Sequence, residues 1–361
     1  MEVRAIWLTN VDSDVLHSRT NIEIALQRLK NLGFNTIYPV VWQRGFTLYP
    51  SEVAHNFSGF SVMEKPNFFQ NRDMLAEVVE IAKPLNLRVI PWFEYGLMTP
   101  PNSPLAQQHQ ELLHLDNRQE QIRLKSHDRD KPDIQVWLNP CQPKVQEFIV
   151  DLIADVVERY EIDGIQLDDH FGFPVEMGYD LFTQNLYEIE AKVKATLPYY
   201  KDPTWVSWAT NKTTQLLEKI FHAVKNKRSD CIVSFSPNPL SFSKNYYLAD
   251  WELWIEKGLV EELVLQVYRS NLPSFIGEIS KLEAIEAKAH IPVIIGILSG
   301  LKNKPVALTL IKEQIAKVRS ANFAGVSFFF YETFFNEMVL NTSDKTQITV
   351  RDLKLIENLF V

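Results

Sequence analysis

Cysteine is scarce in this chain: its 361 residues include two, Cys141 and Cys231. Because they lie far apart and form no Cys-x-x-Cys or cysteine–histidine spacing, the sequence predicts neither a disulfide scaffold nor a zinc site. Positive charge is also in the minority, since 37 basic residues face 45 acidic ones and the net charge is −8. General nucleic-acid binding requires a basic face, so we expect no nucleic-acid partner.

Long apolar runs are missing as well. No stretch reaches the roughly 18 apolar residues that a membrane-spanning helix needs, so we expect no membrane partner. Residues 1–7 lead directly into a β-rich run, without the basic and apolar regions of a secretory signal peptide. We therefore expect a cytoplasmic protein, although a mature exported form would show the same N-terminal sequence. The sequence makes no prediction about protein partners.

Short β-rich runs alternate with longer amphipathic segments along the chain. Eight runs have the composition of strands, and segments with helical spacing of apolar residues separate them. Parallel strands require crossovers of this length, so the alternation predicts a parallel α/β sheet without β-hairpins. The predicted strands are residues 4–9, 36–42, 88–95, 164–169, 231–236, 262–268, 292–297 and 325–331.

Two architectures fit this alternation. An open, doubly wound sheet usually carries a Gly-rich phosphate loop after its first strand, and none follows residues 4–9. A closed barrel of βα units commonly has this length as one domain. We therefore predict a single (β/α)8 TIM-barrel domain over residues 1–361. Its long loops would follow strands 2, 3 and 4, at residues 43–72, 96–140 and about 170–205.

The densest group of polar residues ends the fourth predicted strand, in the motif DGIQLDDHF at residues 163–171. Strand alternation directs Gln166 and Asp168 into the barrel, with Asp168 near its rim. Barrel enzymes carry their chemistry at these carboxyl-terminal strand ends. Asp168 is therefore the central candidate for a catalytic carboxylate, and capping of the next turn by Asp168 and Asp169 is the alternative.

Two further carboxylates, Glu94 and Glu332, follow strands whose other residues are strongly apolar. An ionised carboxylate in such surroundings is costly unless it is exposed, paired or functional. Glycoside hydrolysis requires two carboxyl groups beside the scissile bond, one protonated and one ionised. The carboxylates after strands three, four and eight would supply them, and the catalytic candidates are Asp168, Asp169, Glu94 and Glu332.

Aromatic and hydrogen-bonding side chains also lie at or near the predicted strand ends. A single aromatic residue there is more often part of the core. However, eight Trp and twelve Tyr in a barrel with long loops favour a groove that binds carbohydrate. The candidates for substrate binding are Trp7, Trp42, Trp92, His170, Asn238, Gln266, Tyr268 and Arg269.

A metal-dependent hydrolase is an alternative, because His170 follows two aspartates. Barrel hydrolases of that class usually have an early His-x-His and further histidines at strand ends, and neither pattern occurs here. The sequence therefore predicts no metal site and no cofactor. A serine nucleophile is not predicted either, since no Gly-x-Ser-x-Gly motif occurs.

Several motifs resemble those of the bacterial glycoside hydrolase-like family 10, in the same order and over nearly the whole chain. The resemblance implies a (β/α)8 fold and hydrolysis of polysaccharide, with peptide-free glycan strands of peptidoglycan as the substrate of characterised relatives. It also implies that the family's acidic pair falls on Asp168 and Asp169. The matching segments are RAIWLT at 4–9, GFNTIYP at 33–39, WFE at 92–94, WLNP at 137–140, DGIQLDDHF at 163–171, SFSP at 234–237 and QVY at 266–268.

This chain departs from the family pattern at two places. His170 stands where the family usually has Tyr, and residues 208–211 read WATN in place of a Trp-Arg-Arg pattern. These differences make the substrate harder to predict from the resemblance than the reaction.

We therefore predict a bacterial glycosidase that acts on a β-linked, N-acetylated glycan. Asp168 is expected to be the nucleophile or the charge that stabilises an oxocarbenium-like centre, with Asp169 orienting it. Glu332 or Glu94 would donate the proton. A catalytically silent carbohydrate-binding barrel remains an alternative. The other is a metal-dependent amidohydrolase or deacetylase that uses His170 and the two aspartates.

Overall fold

A parallel β-barrel forms the centre of the protein. The computed structural model describes residues 1–64, 67–121, 123–124, 134–192, 198–301, 304–337 and 360. Within these residues, eight parallel strands follow one another around the barrel in chain order. They are β1 Val3–Leu8, β2 Thr36–Pro39, β3 in two pieces (Arg88–Val89 and Trp92–Phe93), β4 Gly164–Asp168, β5 Ile232–Ser236, β6 Glu262–Gln266, β7 Val293–Leu298 and β8 Gly325–Phe329.

The barrel closes through β1 and through the divided strand β3. β1 pairs with both β2 and β8. Arg88–Val89 pairs with β2, whereas Trp92–Phe93 pairs with β4. Pro91 has no N–H to donate, which explains the interruption, but its carbonyl oxygen accepts a 2.8 Å hydrogen bond from the Gln166 N–H. The predicted (β/α)8 barrel is therefore confirmed.

Helices connect the strands and pack their apolar faces on the barrel. In α5 (Pro143–Arg159), Pro143 occupies the first turn, where its missing N–H costs nothing, and seven apolar residues at helical spacing are buried. No helix in the described part of the chain is long and apolar enough to cross a membrane. The other α-helices are α1 Arg19–Asn31, α2 Glu52–Ser58, α3 Met74–Ala82, α4 Pro104–Gln108, α6 Leu181–Ala191, α7 Pro203–Lys227, α8 Leu240–Tyr247, α9 Trp251–Glu256, α10 Leu272–Ile279, α11 Leu282–His290 and α12 Leu308–Ser320.

Single helical turns complete the connections. One of them, Asp169–Phe171, follows directly on β4 and carries three residues of the family motif. The others are the 3₁₀ turns Asn67–Phe69, Lys83–Leu85 and Gln110–Leu112, and the π-helical segment Thr333–Glu337. That the whole chain forms one domain stays a prediction.

Antiparallel ribbons occur in the loops, so the expectation of no hairpins was wrong. Trp42–Gln43 pairs with Phe46–Thr47, and β2 ends at Pro39 instead of reaching residue 42. Arg44 and Gly45 form the turn with φ of 54° and 79°, as a two-residue hairpin turn with both central residues left-handed requires. Arginine is not a usual residue for this turn, which explains why the pattern was missed. The other ribbons are Met98–Thr99 and Arg123–Leu124 on either side of Ile134–Trp137, and Gly300–Leu301 with Lys304–Pro305.

A buried ionic network closes the amino-terminal end of the barrel. Glu262, the first residue of β6, accepts hydrogen bonds of 3.1 Å each from Tyr38, Ser234 and Arg88. An ionised carboxylate at this depth requires such partners. TIM-barrel enzymes carry their chemistry at the carboxyl-terminal end of the strands and conserve stability at the amino-terminal end, so we assign this network to stability.

Candidate active site

Asp168 is the last residue of β4 and lies at the carboxyl-terminal mouth of the barrel. Its side chain is 4% exposed, and both carboxyl oxygens accept hydrogen bonds. Oδ1 accepts from the backbone N–H of Asp169 at 2.7 Å and thereby caps the turn Asp169–Phe171. Oδ2 accepts from the indole N–H of Trp92 at 2.7 Å. The side chain of Asp168 therefore caps the next turn, and it is also buried at the mouth of the barrel.

Two neighbours of Asp168 in the sequence complete an acidic cluster. The Nδ1 atom of His170 lies 3.4 Å from Oδ1 of Asp168 and 3.2 Å from Oδ1 of Asp169. The same Nδ1 is 2.9 Å from the backbone carbonyl oxygen of Glu94, at the end of β3. A carbonyl oxygen only accepts, so we assign the proton of the imidazole to Nδ1. The side chain of Asn238, in the loop after β5, donates a hydrogen bond to Oδ2 of Asp169.

The surroundings of Asp168 favour its protonated form. Burial raises the pKa of its carboxyl group well above the ordinary value, and the negative charges of Asp169 and Glu94 raise that pKa further. The hydrogen bond from Trp92 acts in the opposite direction, because it stabilises the carboxylate. Because the two carboxyl groups lie within 4.8 Å of one another, the charge of Asp169 disfavours ionisation of Asp168.

Two side chains at the carboxyl-terminal end of β6, Gln266 and Tyr268, border the cluster. Burial and then the charges of Asp168, Asp169 and Glu94 raise the pKa of the Tyr268 phenol well above its ordinary value, so this hydroxyl stays protonated. The amide of Gln266 donates to the backbone carbonyl oxygen of Ser236 at 2.9 Å, which ties the ends of β5 and β6 together.

The structure brings most of the predicted site residues together around Asp168. Trp7 reaches the same region from β1: its ring centroid is 6.3 Å from that of Trp92, and its indole N–H donates to Oε1 of Gln166 at 2.8 Å. The predicted residues that meet at the mouth are Asp168, Asp169, Glu94, His170, Trp7, Trp92, Asn238, Gln266 and Tyr268.

Three predicted residues have other contacts. Glu332 accepts hydrogen bonds from the N–H of Asp14 at 3.1 Å and from the Ser13 hydroxyl at 3.3 Å, in the loop after β1. Trp42 is buried, its indole N–H donates to a backbone carbonyl oxygen at 2.9 Å, and its ring packs against a phenylalanine of α5. Arg269 is bound to Glu278 of α10 at 2.7 Å. None of these contacts involves the cluster around Asp168.

Sequence reasoning missed two supporting residues inside the barrel. Ser234 accepts a 3.1 Å hydrogen bond from Gln166, and Ser236 holds Gln266. The signal that indicates them is the alternation in IVSFS at 232–236, which directs both serines to the inner face. Glu262 was missed because its partners come from three other strands.

The cluster also has the composition of a metal site. One ligand atom from each of Asp168, Asp169 and His170 lies within 4.8 Å of the other two. Carboxylate oxygens and imidazole nitrogens are ligands for divalent transition metals. However, both oxygens of Asp168 accept from N–H groups, and the His170 proton on Nδ1 leaves Nε2 as its ligand atom. The arrangement therefore fits proton sharing better than metal coordination.

The cluster of carboxyl groups lies at the carboxyl-terminal mouth of a parallel barrel, which is where TIM-barrel enzymes carry their active sites. The model of the Glycosyl hydrolase-like 10 family matches residues 2–317, and the chain belongs to this family. The resemblance found in the sequence is therefore confirmed.

Two proteins named as glycosyl hydrolases are similar in sequence to more than half of the chain. Glycosyl hydrolase DigH from Escherichia coli (strain K12) is 27% identical over 271 residues, which cover 67% of this chain and 56% of that protein. Glycosyl hydrolase YngK from Bacillus subtilis (strain 168) is 22% identical over 303 residues, which cover 74% of this chain and 54% of that protein. The match thus spans about half the length of these relatives.

Solved structures share the fold at low sequence identity. The PgaB (BpsB) glycoside hydrolase domain from Bordetella bronchiseptica has a TM-score of 0.64 and 12% identity, over 96% of this chain and 97% of that chain. Alpha-L-fucosidase isoenzyme 2 from Paenibacillus thiaminolyticus has a TM-score of 0.67 and 14% identity, over 100% and 49% of the two chains. These similarities establish the fold. The reaction has to be inferred from the residues of the site.

Proposed function

We propose that this protein is a glycosidase that hydrolyses O-glycosidic bonds in a polysaccharide. The observation that carries the proposal is the buried carboxyl pair of Asp168 and Asp169 beside Glu94 at the barrel mouth. Burial and like charge keep a proton on the pair at a pH where an exposed aspartate is ionised. A protonated and an ionised carboxyl group in one site is what glycoside hydrolysis requires.

The pair acts as the acid in this proposal. Asp169 is the more accessible of the two, since its side chain is 16% exposed against 4% for Asp168, and it passes the proton to the glycosidic oxygen. The bond to the anomeric carbon breaks, water supplies the new hydroxyl group, and the proton of that water returns to the carboxyl groups. Glu94 provides the ionised carboxylate. The ionised role expected for Asp168 from the sequence thus passes to Glu94, because the environment of Asp168 favours its protonated form.

The remaining groups at the mouth bind and orient the sugar. Tyr268 and His170 offer a hydroxyl group and a ring nitrogen beside the carboxyl pair, and Asn238 and Gln266 add amides. Trp7 and Trp92 form the aromatic floor beneath them. We leave Trp42, Arg269 and Glu332 out of the binding site because their hydrogen bonds with Gly96, Glu278 and Asp14 do not involve the carboxyl pair.

A β-linked, N-acetylated glycan is the proposed substrate class. Support comes from membership of the family and from the motif at residues 163–171. His170, which replaces the usual tyrosine of the motif, lies inside the cluster and 3.2 Å from Asp169, so it bears on which sugar fits. Peptide-free peptidoglycan strands and chitin-type oligomers are the substrates to test first.

Mass spectrometry of reaction products tests the proposal. Wild-type protein, the Asp168→Asn variant and the Asp169→Asn variant are incubated with peptide-free peptidoglycan strands, chitin oligomers and glucans. We expect shortened oligosaccharides from the wild type and none from the variants, with unchanged far-UV circular dichroism. If no substrate is shortened but one binds, the protein is a carbohydrate-binding barrel without catalysis. Full activity of Asp168→Asn contradicts the assigned acid.

A metal-dependent hydrolase is the second candidate, since three ligand atoms lie within 4.8 Å of one another. It would act as an amidohydrolase or deacetylase and remove acyl groups without shortening the chain. The same incubation with an added chelator distinguishes the two candidate functions. Loss of activity with chelator, restored by a divalent cation and accompanied by released acetate, supports this second function over the first.

A further inference from the structure

A second concave site lies between the loops that follow β3 and β4. Its walls are the turn at 115–121, residues Glu176 and Met177, and Tyr200. The cavity has a volume of about 990 Å³. Ligand pockets in proteins typically measure about 300–1,000 Å³, so this space is large enough for more than a single small group.

Backbone hydrogen bonds hold the walls in place. The N–H groups of Gly178 and Tyr179 donate to the carbonyl oxygen of Leu115 at 3.1 Å and 3.0 Å. Asp116 and Met177 pair as an antiparallel bridge, which joins the two loops directly. The N–H of Val175 donates to a carbonyl oxygen of α8 at 3.0 Å. The cavity is therefore preformed, which reduces the entropy lost when a ligand binds.

The wall formed by Glu176 and Met177 belongs to the loop after β4 that also carries Asp169 and His170. Six residue steps lead from His170 to Glu176, and an extended chain spans at most ~3.6 Å per residue, so their Cα atoms lie within about 22 Å. Both loops follow carboxyl-terminal strand ends, which places the cavity on the face of the barrel that carries Asp168. A short run of linked sugars covers such a distance.

The lining suits an uncharged, hydroxylated ligand. Asn117 offers an amide that both donates and accepts hydrogen bonds, and Tyr200 offers an aromatic ring. Gln119 and Gln121 each donate one hydrogen bond to a backbone carbonyl oxygen, which leaves their amide oxygens to accept from a ligand. The ionic groups satisfy one another, since Arg118 lies 3.0 Å from Asp116 and 2.7 Å from a second carboxylate. Of the lining residues that the structure describes, three are acidic and one is basic. An anionic ligand is therefore disfavoured.

We propose that this cavity is a distal subsite that binds an uncharged sugar unit of the chain that is cleaved at Asp168. The proposal rests on the proposed function, and it predicts that long oligosaccharides are better substrates than short ones. Binding energy from the remote sugar then lowers KM for long chains. The shortest chain that is cleaved does not reach the cavity.

Kinetics on oligosaccharides of increasing length test this subsite. The probes are uncharged chitin oligomers and glucan oligomers, with the wild type, Asn117→Ala and Tyr200→Ala. Asn117 is exposed, so its replacement leaves the fold intact even if loss of the partly buried Tyr200 does not. The control is Asn102→Ala, an exposed asparagine that lines a different cavity. Loss of one hydrogen bond corresponds to roughly a 3- to 10-fold rise in KM.

We expect this rise with both cavity variants for long oligomers, no change for the shortest cleaved oligomer, and no change with the control. An equal effect at every length, or no effect at any length, overturns the subsite while leaving the glycosidase intact. If no oligomer is cleaved, isothermal titration calorimetry measures whether the same oligomers bind to the wild type and to the variants. Weaker binding by both cavity variants then supports the subsite without the glycosidase, and unaltered or absent binding overturns it.

Discussion

The indole N–H of Trp92 donates a 2.7 Å hydrogen bond to Oδ2 of Asp168, so β3 fixes the buried carboxyl group at the end of β4. This bond works against the burial and the like charge that raise the pKa of Asp168. The protonation of the acidic cluster is therefore set by opposing contributions from adjacent strands, and each contribution can be removed separately.

Replacing Trp92 with phenylalanine removes the donor and keeps the ring. The pKa of Asp168 should then rise further, because the hydrogen bond stabilises the carboxylate. Since the proposal needs the pair protonated, the alkaline limb of the kcat/KM profile should move to higher pH. A pH–rate profile measures it. A shift to lower pH contradicts the assignment of the pair as the acid.

Removing the neighbouring charge should act in the opposite direction. In Asp169→Asn the like charge that raises the pKa of Asp168 is gone, so that pKa falls and Asp168 ionises at lower pH. Residual activity should be reduced at least ~100-fold, with an alkaline limb displaced to lower pH. Activity within a few-fold of wild type shows that Asp169 does not pass the proton.

Asp168 should lower stability at neutral pH. Its folded-state pKa lies above the unfolded value, so the folded protein binds the proton more tightly and stability falls as pH rises between the two values. Asp168→Asn does not titrate. Relative to wild type, its free energy of unfolding should therefore improve as the pH rises above the unfolded-state pKa of about 3.9. Thermal unfolding at several pH values measures this, and a pH-independent difference contradicts the raised pKa.

Replacement of the two glutamates proposed from the sequence should have clearly different effects on activity. Glu94 acts electrostatically on Asp168, whereas Glu332 is bound to the loop after β1. We expect Glu94→Gln to lose ~100- to 10,000-fold in kcat and Glu332→Gln to stay within a few-fold of wild type. Steady-state kinetics of the two variants check this. A larger loss for Glu332→Gln reverses the assignment.

The ionic network at the opposite end of the barrel should affect stability alone. Arg88→Met leaves the buried Glu262 carboxylate without its cation and should lower the free energy of unfolding by about 3 kcal/mol. The guanidinium side chain is 36% exposed, so water compensates for part of this loss. Urea unfolding measures the change, with kcat as the control. A fall in kcat without loss of stability contradicts a structural role.

The barrel was predictable from sequence because βα alternation and strand periodicity are local signals. The position of Asp168 was predictable for the same reason: the alternation in GIQLD directs it inward, and the strand ends there. The choice between Glu94 and Glu332 was not predictable, because both follow apolar strands and only tertiary packing places Glu94 beside β4. The cation that pairs with Glu262 was likewise hidden, since it lies 174 residues away in the sequence.

Hydrolysis in ¹⁸O-labelled water tests the central claim most directly. Wild-type protein and Glu332→Gln should shorten one of the candidate glycans and place one ¹⁸O atom at each new reducing end, with and without chelator. Glu94→Gln and Asp169→Asn should produce such ends at least ~100-fold more slowly than the wild type. Shortened products from the Glu94 variant at the wild-type rate, or products that form only with a divalent cation, contradict a metal-independent glycosidase built on Asp168, Asp169 and Glu94.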